Sequence, residues 1–245
     1  MISPEKSEEL KSLYIIGGVA ALLQLATLFA MAIVMATLGA KPTSAEGYFI
    51  LQQSSELEMV LQGDFLTLIL IGLYLGTFPA LYAALRRVRP VYTALATLFT
   101  LIAVPLAFGS ESTFSLLHLG EQYAAATTEA QRAQFLAVGE AIIAADLWHN
   151  SGMYMAGMLL QGAGVMISVI MLRREDFRKV TAYAGLLGNG LDLFQHILHP
   201  VAPIIMDVIG PIMGIFYIVW FPMLAWDLFR LARGRSEKGA REDVA

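Results

Sequence analysis

Six stretches of this chain stay apolar for about the length of a membrane-spanning helix: 13–38, 60–85, 91–109, 152–172, 180–198 and 203–229. A helix needs roughly 20 apolar residues to cross a hydrocarbon core of about 30 Å, and inside lipid only a helix or a closed barrel satisfies its own backbone. Composition points the same way. Of 245 residues, 57% are hydrophobic and 15% charged, whereas about a quarter are charged in soluble domains. The segments between the runs are too short for a separate water-soluble domain. The fold expected is therefore all-α, one domain over 1–245, an integral membrane bundle of six transmembrane helices, and any function has to live inside it.

Charge sets the orientation. Basic residues gather as Lys6 and Lys11 before the first run, Arg86, Arg87 and Arg89 after the second, Arg173, Arg174, Arg178 and Lys179 after the fourth, and five more after the sixth. With alternating spans all of these share one face, and only Lys41 and Arg132 lie opposite. Positive residues mark the cytoplasmic side, so both termini are expected in the cytoplasm, in the plasma (inner) membrane, with membrane lipids as the constant partners. The first run is too long for the core of a signal peptide and reads as a retained anchor.

Several chemistries drop out. A formal charge of −4 provides no basic surface for nucleic acid. The absence of cysteine removes disulfide frameworks, iron–sulfur clusters, covalently attached c-type haem, thiolate zinc and thiol nucleophiles. No lysine stands inside a span, which excludes a retinal Schiff base. Phosphate-binding glycine loops, His-Glu-x-x-His and Gly-x-Ser-x-Gly are missing as well.

The loop 110–151 between spans three and four is expected to carry an amphipathic helix on the outer side. Thr128 and Gln131 have the spacing of a capping box, and Phe135, Leu136, Ile142 and Ile143 follow at helical spacing.

Ionisable side chains in or beside spans are costly and mark function by default. Here His118, His149, His196 and His199, with Asp64, Glu111, Asp146, Asp192 and Asp207, all fall near the outer ends of their helices. Span five is the sharpest case. At about 100° per residue, Asp192, His196 and His199 lie within about 60° of one another, flanked by Asn189 and Gln195. Glu111, Ser115 and His118 repeat that spacing beyond span three. Asp146, Asn150, Gly157, Gln161, Gly164 and Ser168 line one face of span four and its approach.

Three of the imidazoles His118, His149, His196 and His199 could bind zinc and lower the pKa of a bound water to about 7. Asp146 or Asp192 would then take its proton, with Ser115 steadying an oxyanion. That reading is a zinc-dependent hydrolase of lipid-like amides or esters. Two alternatives use the same residues differently. One is a transporter or small-molecule binding protein handling protons or solute; the other is a structural or accessory membrane subunit in which the stripes join helices. Transport predicts polar residues that continue toward the cytoplasm, and in the sequence they do so only along span four, through Gln161 and Ser168, which counts against it.

Leu13-Tyr14-Ile15-Ile16-Gly17, the loop from Gly120 to Gly139, Phe177-Arg178-Lys179-Val180-Thr181-Ala182 and Trp226-Asp227-Leu228-Phe229-Arg230 together resemble the bacterial multi-pass membrane family known as domain of unknown function 4386. The resemblance covers nearly the whole chain and implies six membrane helices without implying an activity. At the level of the site alone, the chain is similar to the alkaline ceramidase and progestin/adiponectin receptor superfamily, which has a serine and a histidine on one helix, an acid elsewhere and a histidine pair on a late helix holding an intramembrane zinc. Ser115, His118, Asp146, His196 and His199 would be the counterparts. That superfamily has seven spans and separates the paired residues by three positions, whereas this chain has six and separates them by two.

Overall fold

The computed structural model describes residues 4–145, 150–202 and 204–242, with side chains from Lys6 to Gly234 apart from 205–207. The described residues form eleven helices and no strand: α1 (Pro4–Leu38), α2 (Ala45–Ser54), α3 (Glu56–Gln62), α4 (Phe65–Gly72), α5 (Tyr74–Leu85), α6 (Pro90–Ser110), α7 (Thr113–Ala125), α8 (Glu129–Ala144), α9 (Ser151–Met171), α10 (Lys179–Leu198) and α11 (Ile205–Glu242). Five stretches, Lys6–Leu38, Phe65–Leu85, Pro90–Ala125, Ser151–Met171 and Val208–Gly234, are long and apolar enough to cross a membrane. The chain is a membrane protein. Large apolar side chains stand exposed along these helices, among them Ile16, Ile33, Met35, Val91, Leu98 and Ile215, which suits lipid as the solvent and would be untenable in water.

The expected fifth span matches α10 in length but is absent from those five. Asn189, Asp192, Gln195 and His196 dilute its apolar character, and all four are buried. The second expected span starts later than the apolar run suggests. Gly63 closes α3, its N–H donating to the Met59 carbonyl at 3.0 Å, and Asp64 begins a new helix through the Leu68 N–H to Asp64 carbonyl bond of 3.1 Å. A further turn at Leu73 separates α4 from α5, in which Pro79 removes one backbone donor.

By contacts the chain forms two compact units. One comprises Met1–Ala26, Gly72–Pro105 and Met155–Ala245; the other comprises Thr27–Ile71 and Leu106–Tyr154.

In the first unit, small residues let α1 and α5 approach closely. A Cβ on Gly76 would stand 2.9 Å from that of Ala20, and Gly17 is pressed in the same way against Ala80. Such small-residue seams replace the hydrophobic effect as the packing force between helices in lipid. Beside them the Thr77 hydroxyl donates to Oε1 of the buried Gln24 at 3.1 Å.

The second unit contains a small core that the apolar runs do not reveal: Ala45, Tyr48 and Phe49 of α2, Met59 of α3 and Leu116 of α7. Leu136, Ile142 and Ile143 of α8 pack on it, so these three residues of the expected stripe meet protein. The α8 N-terminus has the full capping box, with the Gln131 N–H donating to Thr128 Oγ1 at 3.2 Å and the Thr128 N–H to Gln131 Oε1 at 3.3 Å.

Candidate functional site

Of the expected site residues, Asn189, Asp192 and His196 meet in the first unit on α10. Asp192 is buried, and its carboxylate is the hub of a network. Tyr217 of α11 donates its hydroxyl to Oδ2 at 2.9 Å, Gln195 Nε2 donates to Oδ1 at 3.3 Å, and His196 Nδ1 lies 3.2 Å from Oδ1 and 2.9 Å from the Asp192 carbonyl. Both neighbouring acceptors make His196 Nδ1 a donor. Tyr217 OH also lies 2.9 Å from the Gln161 side-chain amide. Tyr217 OH thus faces two acceptor oxygens, Gln161 Oε1 and Asp192 Oδ2, with one proton of its own to give. The result is a connected polar network of Gln161, Tyr217, Asp192 and His196.

Glycines make this arrangement fit. A Cβ at Gly157 would run into the imidazole of His196, and one at Gly164 would run into the amide of Asn189, whose Nδ2 donates to the Gly185 carbonyl at 2.8 Å. Two glycines of α9 thus receive two polar side chains of α10. One to two turns along, Gly185 of α10 reverses the relation, lying against Ser168 of α9 and Trp220 of α11. Ser168 and Trp220 are fully buried, and neither Ser168 Oγ nor Trp220 Nε1 has a hydrogen-bond partner among the described residues.

Farther along α10, Thr181 donates to Oδ2 of Asp227 on α11 at 2.6 Å. Asp227 is wholly buried. It also accepts the Arg178 backbone N–H at 3.1 Å, which caps the start of α10 where Arg178 has no capping side chain of its own, and it meets Arg230 at 3.3 Å. A carboxylate at a helix N-terminus is favoured by both the free N–H groups and the helix dipole. Polar contacts therefore recur along one face of α10, at 181, 185, 189, 192 and 196, over about 22 Å at 1.5 Å per residue.

The remaining expected residues have other surroundings. Glu111 and Ser115 do not share a helix, because the chain breaks between α6 and α7; Glu111 turns back and accepts the Thr113 N–H at 2.6 Å. Ser115 is exposed, and His118 is exposed too, 3.7 Å from Glu121 and 3.4 Å from Gln122. Asn150 caps α9, its Oδ1 accepting from Gly152 N at 2.9 Å and Met153 N at 3.2 Å. Asp64 pairs with Lys41 at 3.5 Å. His199 terminates α10, half-buried, its N–H bonded to the Gln195 carbonyl at 2.8 Å. Asp146 and His149 lie outside the described residues, as does the side chain of Asp207.

Among the described residues no three of His, Asp and Glu gather in a manner that could hold a metal ion. His196 has the second-sphere arrangement of a ligand, with one ring nitrogen fixed by Asp192, but no partner ligands accompany it among the described residues.

Sequence reasoning missed Tyr217, Trp220 and Asp227. Their signal was the spacing of three and seven residues along α11, which places them on one stripe. Comparison with protein-family models, curated proteins and solved structures finds no match for this chain, so the functional reading rests on its own residues.

Proposed function

We propose that this chain is a six-span protein of the plasma membrane, with α10 as the fifth span and both termini cytoplasmic, that moves protons, alone or with a small polar solute, along the α9–α10–α11 seam. One observation carries the reading: a buried carboxylate, Asp192, tied to an imidazole and a phenol, stands at one end of a face of α10 that stays polar turn after turn as far as Thr181 and Asp227. The Asp192–His196 pair is neutral overall with its proton on either partner, so a proton can change place without a bare charge being left in a medium that penalises one. With the basic clusters in the cytoplasm, the Asp192 end faces outward and Asp227 inward. This supplies the continuation toward the cytoplasm that transport requires. In this topology α8 belongs to an outer loop.

Hydrolysis by zinc is the weaker reading, since His118 is solvent-exposed and no three-residue ligand group occurs among the described residues.

The test is proton flux. Purified protein is reconstituted into vesicles loaded with a pH-sensitive dye, and a potassium diffusion potential drives protons inward. The wild type is expected to acidify the lumen well above protein-free vesicles, and Asp192→Asn to return the rate to background while keeping its helicity and elution volume. Wild-type flux equal to that of empty vesicles, with and without candidate solutes, would overturn the proposal. Elemental analysis of the same sample separates the rival: near-stoichiometric zinc lost in His196→Ala/His199→Ala would transfer the assignment to hydrolysis.

A further inference from the structure

The second unit carries a charged cavity of its own. It encloses about 220 Å³ and is lined by Lys41, Tyr48, Asp64, Ser112 and Thr113. A neighbouring apolar cavity of about 380 Å³, bounded by Met31, Val34 and Met35 of α1 and Leu66 of α4, shares Lys41, Gly63 and Asp64 with it. The two spaces therefore meet at the Lys41–Asp64 pair, polar on one side and apolar on the other. The larger lies at the low end of the range of small-ligand sites, roughly 300–1,000 Å³, and the smaller falls just below it.

The polar side is built with some care. Gly63 has no Cβ because Thr113 stands where one would go, and the Asp64 N–H donates to Thr113 Oγ1 at 3.2 Å. Glu111 is fixed beside it through the Thr113 N–H at 2.6 Å. Tyr48 is buried, and burial first, with the charges of Asp64 and Glu111 after it, pushes its phenol up to about 12. The charges lining the cavity are one cation, Lys41, and one carboxylate, Asp64. The Lys41–Asp64 pair is long, at 3.5 Å, and nearly half-exposed on each side chain, so it contributes little and is easily exchanged for charges on a ligand.

The geometry points to a phospholipid with a zwitterionic, primary-amine headgroup of the phosphoethanolamine type. Its phosphate would take Lys41, its ammonium would donate to Asp64, and an acyl chain would lie along Met31–Met35 and Leu66. An anionic head would leave Asp64 facing like charge once Lys41 was engaged. A choline head has no N–H to donate and calls for an aromatic cage, for which Tyr48 is the single ring lining the charged cavity. This assignment is independent of proton movement through α9–α11.

Protein is reconstituted into nanodiscs of equal parts phosphatidylethanolamine, phosphatidylcholine and phosphatidylglycerol with identical chains, then extracted in mild detergent, and retained lipid is counted by native mass spectrometry. Wild type is expected to keep phosphatidylethanolamine in preference to the others. Lys41→Gln and Asp64→Asn should each lower that retention about tenfold, the scale of a charge-assisted hydrogen bond, while Lys41→Arg and the surface control Arg132→Gln keep it. Equal retention of the three lipids, preference for either of the other two, or folded Lys41→Gln and Asp64→Asn proteins that retain as wild type would each overturn the assignment.

Discussion

Replacing Tyr217 with Phe removes one oxygen from the centre of the buried network, and the structure allows its cost to be divided. The hydroxyl touches Asp192 Oδ2 and the Gln161 amide, each at 2.9 Å, in a residue only 7% exposed. A hydrogen bond to a charged group contributes about 1.5–3 kcal/mol in water-soluble proteins. In membranes, measured couplings average about 0.6 and reach about 1.7 kcal/mol, because the unfolded reference state also finds partners. The carboxylate acceptor and the full burial place this bond at the upper membrane value, about 1.5 kcal/mol. Tyr217→Phe alone should cost more, about 2–3 kcal/mol, since Gln161 also loses its partner. A double-mutant cycle with Asp192→Leu isolates the term of interest, because Tyr217→Phe removes the Tyr217–Gln161 contact in both backgrounds and that loss subtracts out. Unfolding in mixed micelles of increasing denaturing-detergent fraction, followed by tryptophan fluorescence, supplies the four free energies; Trp220, with its ring centroid 6.0 Å from that of Tyr217, is a local reporter. A coupling within about 0.3 kcal/mol of zero, the limit at which distant sites add, would refute the hydrogen bond and with it the link between Tyr217 and Asp192 in the network.

Gly185→Ala should destabilise by about 1–3 kcal/mol, because its methyl would meet Ser168 and Trp220 in a closed space. Gly162→Ala and Gly190→Ala, where a Cβ meets nothing within 4 Å, should be neutral or stabilise by up to about 1 kcal/mol through helix propensity; the same micelle unfolding measures all three. Tyr48 should ionise near pH 12 rather than 10, so ultraviolet difference titration of the wild type contains one late tyrosinate that Tyr48→Phe lacks. With its folded pKa raised, the neutral phenol's stabilisation is complete below pH 10 and is lost as pH rises from 10 to 12, by about 2.7 kcal/mol for two units. The stability of Tyr48→Phe should not show that loss.

Five spans were legible from apolar length alone, because lipid imposes one crude requirement that composition meets directly. Boundaries were legible only where a side chain announces them, as Thr128 and Gln131 do for α8. They were obscured where a single break interrupts an apolar run. Gly63 and Asp64 divide α3 from α4, and Glu111 folds back as a cap, so a stripe drawn through Glu111, Ser115 and His118 on one continuous helix fails even though its arithmetic is sound. The second unit's core was hidden for a related reason. Ala45, Tyr48, Phe49 and Met59 lie in a segment whose polar residues read as a connector, and their burial depends on α7 and α8, which no local pattern reports.

The α10 stripe was half legible. Asn189, Asp192 and His196 stand out because they are ionisable or amide-bearing in an apolar run, whereas Thr181 and Gly185 look like ordinary helix residues, and Tyr217 and Trp220 look like aromatic packing. Only the structure shows that all of them share the α9–α11 interface. Helix–helix adhesion explains part of that interface: Asn189 and His196 fill the hollows at Gly164 and Gly157, and Asp227 anchors the start of α10. It does not explain the rest. Apolar side chains of similar volume would fill the same hollows without the cost of desolvating a carboxylate, and adhesion requires polar groups to be paired across the interface. Ser168 Oγ and Trp220 Nε1, buried on either side of Gly185, make no such bond among the described residues. Groups that contribute no adhesion yet lie midway between two carboxylates are what a path for protons needs, through a hydroxyl that both donates and accepts. If that is their role, Ser168→Ala should leave stability nearly unchanged and slow proton flux, whereas a purely adhesive seam would give no flux to slow.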